Sequence, residues 1–205
     1  MKTLIAIPCL DTLDVHFVRS LVSLKQTGET VISFFSNSLV YDARNKLAQQ
    51  AIDVGADYIL WLDSDTVFEP DTLAEMLKAI EGKDYITGIV HRRRPPFNPC
   101  IYKTIRLGVD GENFVEQYDD YPKDSLFEID GSGFACVLMR TEMIKQIIAR
   151  DHTLFSPILG FGEDISFCIR AKRAGYKLHC YSKIQCGHVS STIINAETFK
   201  AWSRR

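Results

Sequence analysis

A chain of 205 residues with 46% hydrophobic content can bury a full core, and its length fits a single domain. Twenty-four Lys and Arg against 26 Asp and Glu leave a net charge of -2, with a pI near 6.2. That balance excludes the basic footprint of a dedicated duplex-binding protein. The six cysteines (Cys9, Cys100, Cys136, Cys168, Cys180, Cys186) are scattered without a C-x-x-C pair, as expected of free thiols in a reducing compartment. No apolar segment reaches the length of a bilayer span. The run 4–10 contains Pro8 and ends at Asp11, unlike a secretory leader, so a cytoplasmic chain is expected.

The first half alternates strand and helix: strand 3–8, helix 14–27, strand 30–35, helix 42–54, strand 57–62, helix 71–81, strand 85–90. Such alternation predicts an α/β fold with a mostly parallel sheet, helices on both faces, and a nucleotide-binding first half, residues 1–92. Gly28, Gly55 and Gly82 follow the helical stretches as stop signals, and Glu69-Pro70-Asp71 is a helix entry. From Arg92 the pattern changes. Strands at 101–107 and 113–118 flank Val109-Asp110-Gly111-Glu112, a hairpin signal, and strands follow at 126–129 and 135–139. Helices at 141–150 and 165–174 precede short strands at 176–181 and 184–189, so residues 93–205 read as an α+β half completing the same sheet in one domain, 1–205.

Asp63-Ser64-Asp65 closes the apolar run Tyr58-Ile59-Leu60-Trp61-Leu62. Sixteen Asp residues make about 1.2 Asp-x-Asp pairs expected by chance, so the position of the pair carries more than the pair itself. Open α/β sheets bind ligands beyond the carboxyl ends of their strands, where carboxylates can meet Mg²⁺ or Mn²⁺ and substrate phosphates; the alternative is a solvated turn. Glu163-Asp164 follows Phe161-Gly162 and opens a helix. Asp164 there can cap the helix or take a proton from a hydroxyl. His188 follows a strand, far along the chain from Asp65. A zinc site built on His179, Cys180, Cys186 and His188 is disfavoured because neighbours in a strand face opposite sides. Asp42 can cap the second helix, and Arg44 in its first turn can reach a diphosphate or lie solvated on the surface. Arg92-Arg93-Arg94 can hold an anion or be solvated. Gly131-Ser132-Gly133-Phe134 opens the backbone to a ligand or forms a bulge.

Taken together, Ile5-Ala6-Ile7-Pro8, Ala43-Arg44-Asn45, the segment 58–65, Gly131-Ser132-Gly133-Phe134 and Gly162-Glu163-Asp164-Ile165-Ser166-Phe167-Cys168-x-Arg170 resemble the family 2 type of GT-A glycosyltransferases over nearly the whole chain. The resemblance implies a single GT-A domain with a Rossmann-like half and an acceptor half. It implies that Pro8, Cys9, Asp11, Arg44, Asp63, Ser64 and Asp65 border a nucleoside-diphosphate sugar, and that Asp63, Asp65 and His188 hold Mn²⁺ or Mg²⁺. Gly133, Phe161, Gly162 and Glu163 would border the acceptor, and Asp164 would be the catalytic base of an inverting transfer to a hydroxyl. The competing readings are a nucleotidyltransferase acting on a sugar phosphate and a non-catalytic nucleotide-sugar-binding module. The first should carry a glycine-rich, Lys-bearing phosphate loop, and Pro8-Cys9-Leu10-Asp11-Thr12 is not one.

Overall fold

A computed structural model describes residues 1–108 and 112–191. Its strands in chain order are β1 (Lys2–Pro8), β2 (Glu29–Phe35), β3 (Tyr58–Leu62), β4 (Thr66–Val67), β5 (Tyr85–Val90), β6 (Ile101–Arg106), β7 (Phe114–Gln117), β8 (Leu126–Ile129), β9 (Gly131–Ser132), β10 (Cys136–Arg140) and β11 (Leu178–His188). The helices are α1 (Val15–Ser23), α2 (Val40–Asp53), α3 (Thr72–Ala79), α4 (Thr141–Asp151) and α5 (Glu163–Arg173). An eight-stranded sheet runs β2-β1-β3-β10-β5-β11-β4, with β8 also on β11, and β7-β6-β9 forms a smaller one.

The sheet is mixed. β1 pairs in parallel with β2 and β3, as the alternation predicts. β10, however, enters antiparallel between β3 and β5. The second half is thus threaded through the first rather than added at its edge. Both faces are covered. In β1, Leu4 and Ala6 pack on the side of α2, α4 and α5, while Ile5 and Ile7 pack on the side of α1 and α3. Period-two alternation of residues that are all apolar is what two buried faces demand.

Several boundaries differ from the sequence reading for local reasons. The first helix stops at Ser23, because the Leu24 N–H turns to the Leu21 carbonyl and the Lys25 N–H to that of Pro70. Asp42 does not cap α2. Its N–H already bonds the Leu39 carbonyl inside the helix, and its carboxylate accepts from the Ser38 hydroxyl at 2.7 Å. The two short strands expected at 176–181 and 184–189 are one strand, β11, with a register shift between Cys180 and Gln185. β6 and β7 pair antiparallel as the hairpin signal requires, while its turn at 109–111 lies outside the described residues. The two-residue strands β4 and β9 carry no sequence signal.

Candidate active site

The carboxyl ends of β1, β3 and β5 and the starts of α2 and α5 enclose the cluster. The α2 face formed by Ala43, Arg44, Leu47, Ala48 and Ala51 is buried, so Arg44 is neither a surface arginine nor a freely reaching one. Its side chain is only 3% exposed. Its guanidinium lies over Trp61, Phe134 and Phe155, with the carbon 5.3 to 6.0 Å from the ring centres. It donates to Asp63 Oδ1 at 2.8 Å, and its Nε lies 3.6 Å from Glu163 Oε1. Burial opposes the Arg44 charge, yet the flanking Asp63 and Glu163 hold its pKa above the ordinary value.

Asp65 is reached from the other direction. β4 pairs antiparallel with the end of β11, setting His188 opposite Thr66, and the Val189 N–H donates to the Asp65 carbonyl at 2.8 Å. His188 Nε2 consequently lies 3.4 Å from Asp65 Oδ1, while Nδ1 meets the His91 carbonyl at 2.8 Å. Arg93 donates to the other oxygen, Asp65 Oδ2, at 2.8 Å. Burial raises the Asp65 pKa, but the His188 and Arg93 contacts outweigh it and hold the group below the usual range; the Asp65 contact raises that of His188.

Among the described residues no three His, Cys, Asp or Glu side chains converge as a metal cluster. The expected set Asp63, Asp65 and His188 does not form such a cluster: Arg44 engages Asp63, and Arg93 and His188 engage Asp65. Asp65 and His188 lie side by side, and a carboxylate with an imidazole is a donor set that a divalent ion accepts. With Nδ1 at the His91 carbonyl, Nε2 is the nitrogen left facing Asp65, and a ligating histidine likewise gives its other ring nitrogen to a carbonyl.

Asp164 lies in the first turn of α5, whose cap is the Gly162 backbone with no side-chain bond, so Asp164 is not the N-cap. Its Oδ1 accepts from the Ile165 N–H at 2.7 Å. Burial first, then the neighbouring Glu163, pushes its carboxyl pKa up to about 6.

Three cavities meet at this place. One of 360 Å³ touches Pro8, Cys9, Arg44, Asp63, Ser64 and Asp65. A second of 150 Å³ touches Gly133, Glu163 and Asp164, and a third of 720 Å³ is walled by Arg92, Arg93 and Arg94. Of the other candidates, Asp11 is exposed and outside all three, Gly162 is exposed, and Phe161 packs on the core. A Cβ on Gly133 would come 3.3 Å from Cys100 Cβ and 3.7 Å from Asp164 Oδ2. Sequence reasoning missed the His91 carbonyl and Cys100. Both come into place through cross-strand pairing and have no local signal.

The mixed α/β sheet, with a cleft at the end of its central strand, is that of a GT-A glycosyltransferase. Residues 27–205 match the family described as "Glycosyltransferase like family 2", and the chain belongs to that family. No curated protein matches the sequence. Among solved structures the chain is similar to the crystal structure of A197 from STIV, with 20% identity over 93% of this chain and 87% of that one and a TM-score of 0.65. It is also similar to GalNAc-T7 crystallised with UDP, GalNAc and Mn²⁺, with 13% identity and a TM-score of 0.64. That match covers 99% of this chain and 47% of the other. Among the described residues no helix is long and apolar enough to cross a membrane.

Proposed function

We propose that the protein moves a sugar from a nucleoside-diphosphate sugar to an acceptor hydroxyl with inversion at the anomeric carbon, assisted by Mn²⁺ or Mg²⁺. The observation carrying this reading is Asp164, a carboxylate with a pKa of about 6 lining a 150 Å³ cavity that shares Arg44, Asp63, Glu163 and His188 with the larger cleft at the strand ends. A base of that strength is ionised at neutral pH and still basic enough to take a proton.

In this reading the donor lies in the 360 Å³ cleft, with the nucleotide along Pro8, Cys9 and Ser64. Asp63, fixed by Arg44, accepts from the ribose. Asp65 and His188 hold the ion, which when bound neutralises charge on the leaving diphosphate. Asp164 takes the acceptor proton as the hydroxyl oxygen attacks from the face opposite the leaving group. Glu163, drawn to Arg44, leaves Asp164 as the carboxylate turned to the acceptor.

UDP-sugars are the first donors to try, because the similar GalNAc-T7 was crystallised with UDP, GalNAc and Mn²⁺. Slow donor hydrolysis with Mn²⁺, followed by NMR from the first turnover, should release the anomer opposite to that of the donor and should fail in Asp164→Asn. First release of the donor's own anomer overturns the inverting mechanism.

A further inference from the structure

Arg92, Arg93 and Arg94 follow the carboxyl end of β5 and wall the 720 Å³ cavity. Only Arg93 has a carboxylate partner, Asp65; among the described residues Arg92 and Arg94 form no ion pair. The Arg92 side chain instead meets neutral groups, the Tyr102 hydroxyl at 3.5 Å and Gln117 Oε1 at 3.3 Å. Ser190 and Ser191 add hydroxyls to the same wall. All three arginines are exposed, yet they line one concavity, where an occupant would displace part of their water and must supply acceptors.

The cavity's position narrows what the occupant is. His188 borders all three cavities, and Cys100 borders both the arginine cavity and the one holding Asp164. Arg93 and His188 line both the arginine cavity and the donor cleft, whereas Pro8, Cys9 and Ser64 do not reach the arginine cavity. A molecule seated there lies at the Asp65 end of the donor cleft, away from the nucleotide residues, and adjoins the Asp164 cavity at Cys100 and His188, where an acceptor hydroxyl would enter. A volume of 720 Å³ falls within the range of roughly 300–1,000 Å³ that holds a small molecule, not a polymer.

We propose that the acceptor is a small saccharide carrying an oxyanion, phosphate or carboxylate, bound by Arg92 and Arg94 so that its hydroxyl faces Asp164. The forked guanidinium matches either oxyanion with two parallel hydrogen bonds. The proposal rests on the reading of Asp164 as the base, and it assigns the acceptor's charge, which that reading leaves open.

Calorimetry on the full chain with glucose 6-phosphate, glucuronate and glucose tests it. Both anionic sugars should bind at least about tenfold tighter than glucose. Arg94→Glu should remove that preference while leaving the Kd for UDP with Mn²⁺ unchanged, and a tighter sugar phosphate or uronate identifies the oxyanion. Glucose binding as well as its anionic counterparts overturns the proposal, and so does an Arg94→Glu change that falls on UDP affinity alone. Asp164→Asn should bind the anionic sugars like the wild type. If Asp164→Asn remains active while the sugar selectivity holds, the base assignment fails and the arginine cavity stands.

Discussion

Arg44 and Asp63 form a half-buried ion pair of 2.8 Å in which the arginine is almost wholly desolvated, and among the described residues its Nε and Nη1 find no hydrogen-bond acceptor. The rings of Trp61, Phe134 and Phe155 beneath it offset part of that cost. Removing one partner of such a pair leaves the other uncompensated. Arg44→Met should cost about 3–5 kcal/mol in urea unfolding, with a large part recovered in the double variant Arg44→Met with Asp63→Asn. An additive double variant would show that the two side chains do not stabilise each other.

Asp164 links function to stability with a definite sign. Its carboxyl is raised from 3.8 to about 6, so the folded protein binds the proton more tightly than the unfolded chain. The group therefore subtracts stability as pH rises from about 4 to about 6, and the full penalty, up to about 3 kcal/mol, persists above that. Asp164→Asn keeps an acceptor for the Ile165 N–H without the charge. It should melt higher than the wild type at pH 7.5, lose that advantage at pH 4, and turn over about 10²–10⁴-fold more slowly. Wild-type activity should fall as pH drops through about 6.

The paired Asp65 and His188 lead to a binding prediction. Calorimetry of Mn²⁺ and UDP should show each tightening the other, and Asp65→Ala should abolish the coupling while the fold is retained. Undiminished coupling in that variant would place the ion elsewhere.

Gly88 lies where β5 and β11 crowd each other. A Cβ there would come 2.7 Å from Ile184 Cγ2 and 3.3 Å from both Ile184 Cβ and the Ile184 carbonyl oxygen. Gly88→Ala should destabilise by about 1–3 kcal/mol in urea unfolding, and adding Ile184→Val should relieve part of that. No change in the midpoint for Gly88→Ala would show that β11 yields without strain.

What the sequence made legible follows the range of the interactions. β1, β2, β3 and β5 were readable because runs such as Tyr58 to Leu62 are apolar and end in turn or acidic residues, which are local signals. The carboxylates at 63, 65 and 164 were readable from their place at element ends. The insertion of β10 between β3 and β5 was not readable, since an apolar strand suits parallel and antiparallel neighbours alike. The sequence left Arg44 between reaching a diphosphate and lying solvated, because its charge conceals that it falls on the buried face of α2 with Leu47 and Ala48. The approach of His188 to Asp65 depends on β4, a two-residue strand that no periodicity can announce.

The insertion of β10 also orders assembly in time. As the chain leaves the ribosome, β1, β2 and β3 can pair at once, but β3 and β5 have no sheet contact until residues 136–140 enter between them. Two unpaired inner edges persist until then, and such edges invite association with other chains. The site closes later still, when β11 lies against β5 and brings His188 to Asp65. A nascent chain halted anywhere before that strand would carry the Asp-Ser-Asp turn and its arginine partner yet lack His188, so the proposed ion binding would have to wait for β11.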